Sequence, residues 1–326
     1  MRIHLQSLPE EPRFALTPEL WHAAAARAPD IADGQDVTFG STEADWRAIA
    51  PEVEVLVTQT GMVGRLVPLG APGLRMVFCT SAGLDKLAPY DWLPPGVALL
   101  NNRGAHATKA GEYGLMALLM LATHVPAFVT AQRAGTWRPM YGSVLAGQHV
   151  VVVGLGSLGG SVAGHAKRLG MRVTGVRNRV APHDACDTVV GMDGLDAVLP
   201  EADMLVLAPP LTPATTGMLD RRRIALLRPG AGVVNIGRGA LLDQDALCDA
   251  LDAGRLGGAV LDVFTPEPVP DGHRLWTTPN LLMTPHVSAD DPATYNPRSL
   301  DIFLDNLRAL RDGQALPNRF DLEAGY

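Results

Sequence analysis

"VVVVGLGSLGG", Val150 to Gly160, decides the fold. Four consecutive valines suit a strand buried on both faces, as in the middle of a parallel sheet. Gly154 permits a tight turn at the end of the run. Gly156 removes a side chain where backbone must approach a ligand, and Gly159 lets a helix pack close to the strand. The apolar spacing predicts a helix over Leu158–Leu169, and "MRVTGV" predicts a second strand. Strand, turn, helix and strand form a phosphate cradle in which the N–H groups of Ser157 and Leu158 face an anion. The expected guest is a dinucleotide pyrophosphate.

The end of the second strand points at the adenosine ribose. A carboxylate there accepts hydrogen bonds from the 2′-hydroxyl of NAD and repels a 2′-phosphate. This chain has Arg177, Asn178 and Arg179 instead. A guanidinium forks onto phosphate oxygens and an amide donates to them. The expected cofactor is therefore NADP(H), with NAD(H) still possible.

On both sides of this unit the pattern is α/β. "VEVLVT" (Val53–Thr58), "LRMVFCT" (Leu74–Thr80) and "VALLNN" (Val97–Asn102) read as buried strands among helical stretches such as "PELWHAAAARA". A helical pattern from Glu112 to about His124 is apolar nearly all round and is expected to be buried. Later strands are expected at Met204–Pro209, Ala231–Gly237, Leu256–Phe264 and Leu281–His286. "DQDALCDALDAG" reads as a helix capped by Asp243 and stopped by Gly254, and "SLDIFLDNLRALRDG" as a helix in the tail. No internal repeat is evident.

The 326 residues suffice for two domains, and 47% hydrophobic with 19% charged content marks a soluble globular chain. A formal net charge of -7 and a pI of about 5.7 disfavour nucleic acid and anionic membranes as partners. The three cysteines are odd in number and none sits in a C-x-x-C pair, which argues for a reducing compartment and against a metal site. "MRIHLQSLPEEPRF" lacks the apolar core of a signal peptide, and the longest apolar stretch, Gly114 to Val125, is too short to span a bilayer. The expected location is the cytoplasm.

Three motifs follow at the ends of expected strands, where an open α/β sheet presents its ligand groups. They are "NIGRG" with Arg238, "LDVFTPEPVP" with Glu267, and "TPHVSAD" with His286. Arg, Glu and His together suit a reaction on a 2-oxo or 2-hydroxy acid. Arginine binds the carboxylate and polarises the carbonyl. Histidine gives or takes the proton on oxygen. Glutamate orients the imidazole and favours its charged form.

These motifs, with "LAPPLTPATTGML" and "LLRPGAGVVNIGRGALLDQDAL", make the sequence resemble the D-isomer-specific 2-hydroxyacid dehydrogenase family, which includes glyoxylate/hydroxypyruvate reductases. The resemblance covers nearly the whole chain and is strongest from about Asn101 to His286. It implies catalytic roles for Arg238, Glu267 and His286. It implies a substrate carboxylate loop at Ser81, Ala82 and Gly83, with Arg238 and His286 completing the substrate site. Pro209, Pro210, Thr215, Ile236, Gly237, Arg238, Asp262, His286 and Ser288 fall on positions lining the cofactor. The implied architecture is a Rossmann-type doubly wound parallel sheet, residues 101–287, inserted in a smaller flavodoxin-like α/β substrate domain, residues 1–100 plus 288–326. A homodimer is also implied.

Two stretches depart from the family pattern. "NNRG", Asn101–Gly104, replaces Asn-x-Pro-Gly, and "SADDPATYNPRS" lacks the usual glycine and threonine. Both border the cleft, so the substrate side chain is left open, with Met62, Leu84, Trp137 and Met140 as candidates for setting its size. Two other functions stay open: an NADP-linked dehydrogenase of an anion such as phosphite or formate, and a nucleotide-sensing corepressor-like protein.

Overall fold

The valine run lies in a strand, His149–Val153, whose five residues are all buried. The computed structural model describes residues 1–326 in two compact units: Met1–His106 with Asp291–Tyr326, and Ala107–Asp290. In chain order the first unit holds β1 (Arg2–Gln6), α1 (Pro18–Arg27), α2 (Pro29–Ala32), β2 (Asp36–Gly40), α3 (Glu43–Ile49), β3 (Val55–Thr58), α4 (Thr60–Leu66), β4 (Met76–Cys79) and β5 (Ala98–Leu100). The second begins with α5 (Ala107–Ala122), α6 (Val125–Arg133), β6 (His149–Val153), α7 (Ser157–Arg168), β7 (Arg172–Val176), β8 (Thr188–Val190) and α8 (Leu195–Val198). It continues with β9 (Met204–Leu207), α9 (Arg221–Leu226), β10 (Gly232–Asn235), α10 (Gln244–Asp252), β11 (Gly258–Leu261) and β12 (Leu281–Met283). The last helix, α11 (Tyr295–Arg311), belongs to the first unit.

The first unit's sheet has the order β2-β1-β3-β4-β5 with every pair parallel, the flavodoxin-like order. One of its two cores includes Ile3, Leu5, Val55, Phe78, Leu100 and, from α11, Leu300, Phe303, Leu304 and Leu307. The second unit's sheet runs β12-β11-β10-β9-β6-β7-β8, again all parallel. Its strand order reverses between β6 and β9, the switch point where doubly wound sheets bind ligands.

Two findings differ from the reading of the sequence. The strand β1 is the one with a neighbour on each side nearest the N-terminus, yet "RIHLQ" carries His4 and Gln6, both buried. They are satisfied by each other at 2.8 Å and by Thr38 and the Thr42 carbonyl, so a polar-looking run is a core strand. Helix α5 starts at Ala107 and is not buried all round: Tyr113, Ala117, Leu118 and Leu121 face inward, while Met116 and Leu119 are exposed. No single helix is long and apolar enough to cross a membrane; α5 and α6 would be so together, but they are bent 65° apart and pack on the second sheet. The caps on α10 fall at Asp243, whose Oδ1 accepts from the Ala246 N–H at 2.9 Å, and at Gly254 with φ 64°.

Candidate active site

The glycine turn joins β6 to α7. Gly154 has φ 87°, a conformation glycine adopts freely. A Cβ there would lie 2.5 Å from the Pro209 nitrogen, and one on Gly159 would lie 1.9 Å from the Gly154 carbonyl oxygen. Both positions are closed to any side chain. A Cβ on Gly156 would meet nothing within 4 Å. That glycine therefore keeps backbone bare toward open space, beside the first-turn N–H groups of α7 that no helix ladder uses. The residues present fit a bound pyrophosphate.

The Gly154 N–H donates to the Val176 carbonyl at 2.8 Å, so the end of β7 is stitched to the turn. Arg177 follows directly and is half-buried, its N–H donating to the Val190 carbonyl at 3.1 Å. Asn178 and Arg179 are exposed. Cationic and amide groups thus leave the sheet one residue from the phosphate cradle.

Arg238, Glu267 and His286 come from the loops after β10, β11 and β12, three neighbours in the sheet. The His286 Nδ1 lies 2.9 Å from Glu267 Oε2, and Glu267 Oε1 accepts from the Phe264 N–H at 2.9 Å. The carboxylate is an acceptor, so Nδ1 carries the hydrogen and Nε2 is left for a substrate. Glu267 is thereby a held group rather than a free surface acid. A Cβ on Gly239 would fall 2.0 Å from the Phe264 carbonyl carbon, so the loop of Arg238 rests directly on the loop of Glu267. Asn235 shapes the arginine loop: fully buried, its Nδ2 donates to the Arg238 carbonyl at 2.9 Å and its Oδ1 accepts from the Gly237 N–H at 3.1 Å. The Arg238 guanidinium also donates to the Gly237 carbonyl at 2.8 Å.

The family resemblance puts Asp262, Thr215 and Ser288 in the cofactor's lining. All three are buried, and the polar atoms of the first two serve their own loops. Thr215 Oγ1 accepts from the Thr212 N–H at 2.8 Å and donates to the Pro210 carbonyl at 2.7 Å. Asp262 Oδ1 accepts from the Val287 N–H and Oδ2 from the Ser288 N–H, each at 2.9 Å. Pro209, Ile236 and Gly237 are buried around the glycine turn, whereas Pro210 is exposed.

In the first unit, Ser81, Ala82 and Gly83 form a half-buried loop after β4. The Ser81 carbonyl accepts from the Asn102 N–H at 3.0 Å, and the Ala82 carbonyl from Asn101 Nδ2 at 3.0 Å. A trans peptide holds C=O and N–H antiparallel. The N–H groups of Ala82 and Gly83 therefore point away from these asparagines. Asn102 also ties the preceding residue, with Nδ2 donating to the Thr80 carbonyl at 2.7 Å, and Tyr295 donates to the same oxygen at 2.6 Å. The departure "NNRG" thus contains the two asparagines that set this loop, a role the sequence reading missed. Met62 and Leu84 are each 1% exposed in the first unit's core, so neither sets substrate size; Trp137 lies on the exposed segment after α6.

A family model described as "D-isomer specific 2-hydroxyacid dehydrogenase, NAD binding domain" matches residues 115–288. The chain belongs to that family. It is an oxidoreductase fold of the NAD(P)-dependent 2-hydroxyacid dehydrogenases. Glyoxylate/hydroxypyruvate reductase A of Serratia proteamaculans is 32% identical over 78% of this chain and 82% of its own. A family member from Xanthobacter autotrophicus Py2, solved with NADPH and MES, superposes with a TM-score of 0.83 at 27% identity over 99% of both chains. The NADPH-dependent glyoxylate/hydroxypyruvate reductase of Sinorhizobium meliloti, solved with NADP and sulfate, has a TM-score of 0.79 at 26% identity over the whole of both chains. The chain spans about half the length of the D-3-phosphoglycerate dehydrogenases it also matches, 46% of one and 53% of another.

Proposed function

We propose that this protein reduces a small 2-oxo acid, glyoxylate, hydroxypyruvate or a close analogue, to the D-2-hydroxy acid with NADPH. The observation that carries the reading is the His286–Glu267 pair at 2.9 Å, on a sheet edge that also bears Arg238 and a phosphate cradle followed by Arg177. NADPH or NADP bound to the Xanthobacter and Sinorhizobium relatives supports the choice of cofactor. When bound, the dinucleotide supplies the hydride. Gly156, Ser157 and Leu158 hold its pyrophosphate, Arg177 with Asn178 and Arg179 its 2′-phosphate. Arg238 binds the substrate carboxylate and polarises the adjacent carbonyl. The loop Ser81–Gly83, by its resemblance to the family pattern, offers the Ala82 and Gly83 N–H groups to a carboxylate. His286 donates the Nε2 proton to the carbonyl oxygen and ends neutral, while Glu267 keeps Nδ1 protonated and the ring in place.

The deciding experiment follows NADPH absorbance at 340 nm against a panel of 2-oxo acids. Turnover of glyoxylate or hydroxypyruvate supports the reading. No turnover of any 2-oxo acid favours a nucleotide-sensing binding protein, and NADP-linked oxidation of phosphite or formate favours the other alternative.

Glu267→Ala is expected to lower kcat, because the acceptor that holds His286 Nδ1 and fixes the ring is lost, while NADPH affinity stays near that of the wild type. Wild-type kcat in this variant removes Glu267 from the role.

A homodimer is part of the proposal. Met116, Leu119, Phe128, Trp137, Tyr141 and Val144 are all exposed within one segment of the second unit, Trp137 at 94% and Tyr141 at 92%. Large exposed apolar side chains are the usual material of an interaction surface, and a two-fold axis would let this segment pack on its own copy. Light scattering is expected to give twice the chain mass, and Trp137→Ser with Tyr141→Ser a monomer. A monomeric wild type rejects the dimer.

A further inference from the structure

Asp262 does more than end β11. Three successive N–H groups of the histidine loop converge on it. His286 donates to its carbonyl at 2.8 Å, Val287 to Oδ1 and Ser288 to Oδ2. The loop so held carries His286 at φ 54°, the left-handed region that few non-glycine residues adopt. The imidazole's direction therefore depends on Asp262 staying where it is.

Asp262 is itself held from a second side. The Thr284 hydroxyl donates to Oδ1 at 2.6 Å, and the Tyr113 hydroxyl lies 2.6 Å from Thr284 Oγ1. Threonine has one hydroxyl hydrogen, and Asp262 receives it. Tyr113 must then be the donor to Thr284. Burial above all, and the Asp262 charge, push the Tyr113 phenol up to about 12, against the opposing effect of the Thr284 bond. Tyr113 is 7% exposed and remains a donor through the neutral range. The result is a one-way chain, Tyr113 to Thr284 to Asp262, that runs from α5 to the base of the His286 loop.

We propose that Tyr113 and Thr284 are positioning residues for the proton donor, acting through Asp262 to hold the His286 loop in its left-handed turn. This rests on His286 being the proton donor. The His286 N–H also donates to the Thr284 carbonyl at 3.0 Å, a backbone bond that side-chain variants keep, so what the Tyr113 and Thr284 hydroxyls add to the loop travels through the Asp262 carboxylate.

The test compares Tyr113→Phe, Thr284→Val, Thr284→Ser and Tyr113→Phe/Thr284→Val by steady-state kinetics and by amide hydrogen exchange over residues 284–288. A net hydrogen bond of ordinary strength corresponds to about a two- to tenfold effect. Tyr113→Phe is expected to lower kcat within that range, and Thr284→Val at least as much, with NADPH affinity little changed. Thr284→Ser keeps the hydroxyl and is expected to recover most of the rate. The double variant is expected to match Thr284→Val, since Tyr113 acts only through that hydroxyl. Exchange at Val287 and Ser288 is expected to quicken. Wild-type kcat in Thr284→Val, additive losses in the double variant, or unchanged exchange each overturn the proposal. If Thr284→Val fails to fold, Tyr113→Phe and Thr284→Ser decide by the same readouts. His286→Ala separates the two claims: full activity there refutes the proton donor, whereas the exchange measurement judges the hold on the loop by itself.

Discussion

His286→Ala is expected to lose about 10²–10⁴-fold in kcat, the usual contribution of a general acid–base group. NADPH should still bind, because the glycine turn and the end of β7 are built from other elements. The expectation rests on how the ring is held. Its Nδ1 is committed to Glu267 at 2.9 Å, so only Nε2 can deliver a proton. The ring is also partly open, with its side chain 43% exposed, so a substrate can reach it. Alanine removes the proton source without emptying a core. Retention of more than about a tenth of wild-type kcat contradicts a role of this size.

Arg177→Asp is expected to reverse the choice of cofactor. A hydrogen bond to a charged group is worth roughly 1.5–3 kcal/mol. At 1.4 kcal/mol per factor of ten, one such contact predicts that the wild type prefers NADPH by about 10- to 150-fold in kcat/KM. Asn178 and Arg179 add less than their separate worth, since contacts to one group are rarely additive. The aspartate accepts from a ribose hydroxyl and repels a phosphate, so both halves of the discrimination change sign. Arg177 is half-buried and its neighbours are exposed, so added salt is expected to weaken the wild-type preference. Equal use of NADH and NADPH by the wild type at low ionic strength refutes the assignment.

Much of this was legible in the sequence because the chemistry of certain loops is local. Gly154, Gly156 and Gly159 work through their own missing side chains, and Arg238, Glu267 and His286 each follow a strand that the residue pattern reveals. What was hidden depends on distant partners. Tyr113 and Thr284 lie 171 positions apart and meet only in the folded chain. Asn101, Asn102 and Asn235 fall inside expected strands, and nothing in an asparagine says which carbonyl it will hold. His4 and Gln6 disguised β1, since each satisfies a polar group of the other inside the core. Met62 and Leu84 show the converse error. An apolar residue near an expected cleft is equally suited to the interior, and only packing separates the two.

The two units are not equivalent in the order of synthesis. Ala107–Asp290 is one unbroken stretch, and every strand of its sheet has been made once Met283 emerges. The other unit is split, and its core draws Leu300, Phe303, Leu304 and Leu307 from α11, each worth about 1.5–3 kcal/mol on burial. A ribosome therefore releases the five strands β1 to β5 before the unit between, yet they lack their closing helix until that unit has been translated. Strands β1 to β5 thus wait for α11 while the unit between is built, and for that time their sheet face is the surface a chaperone would meet.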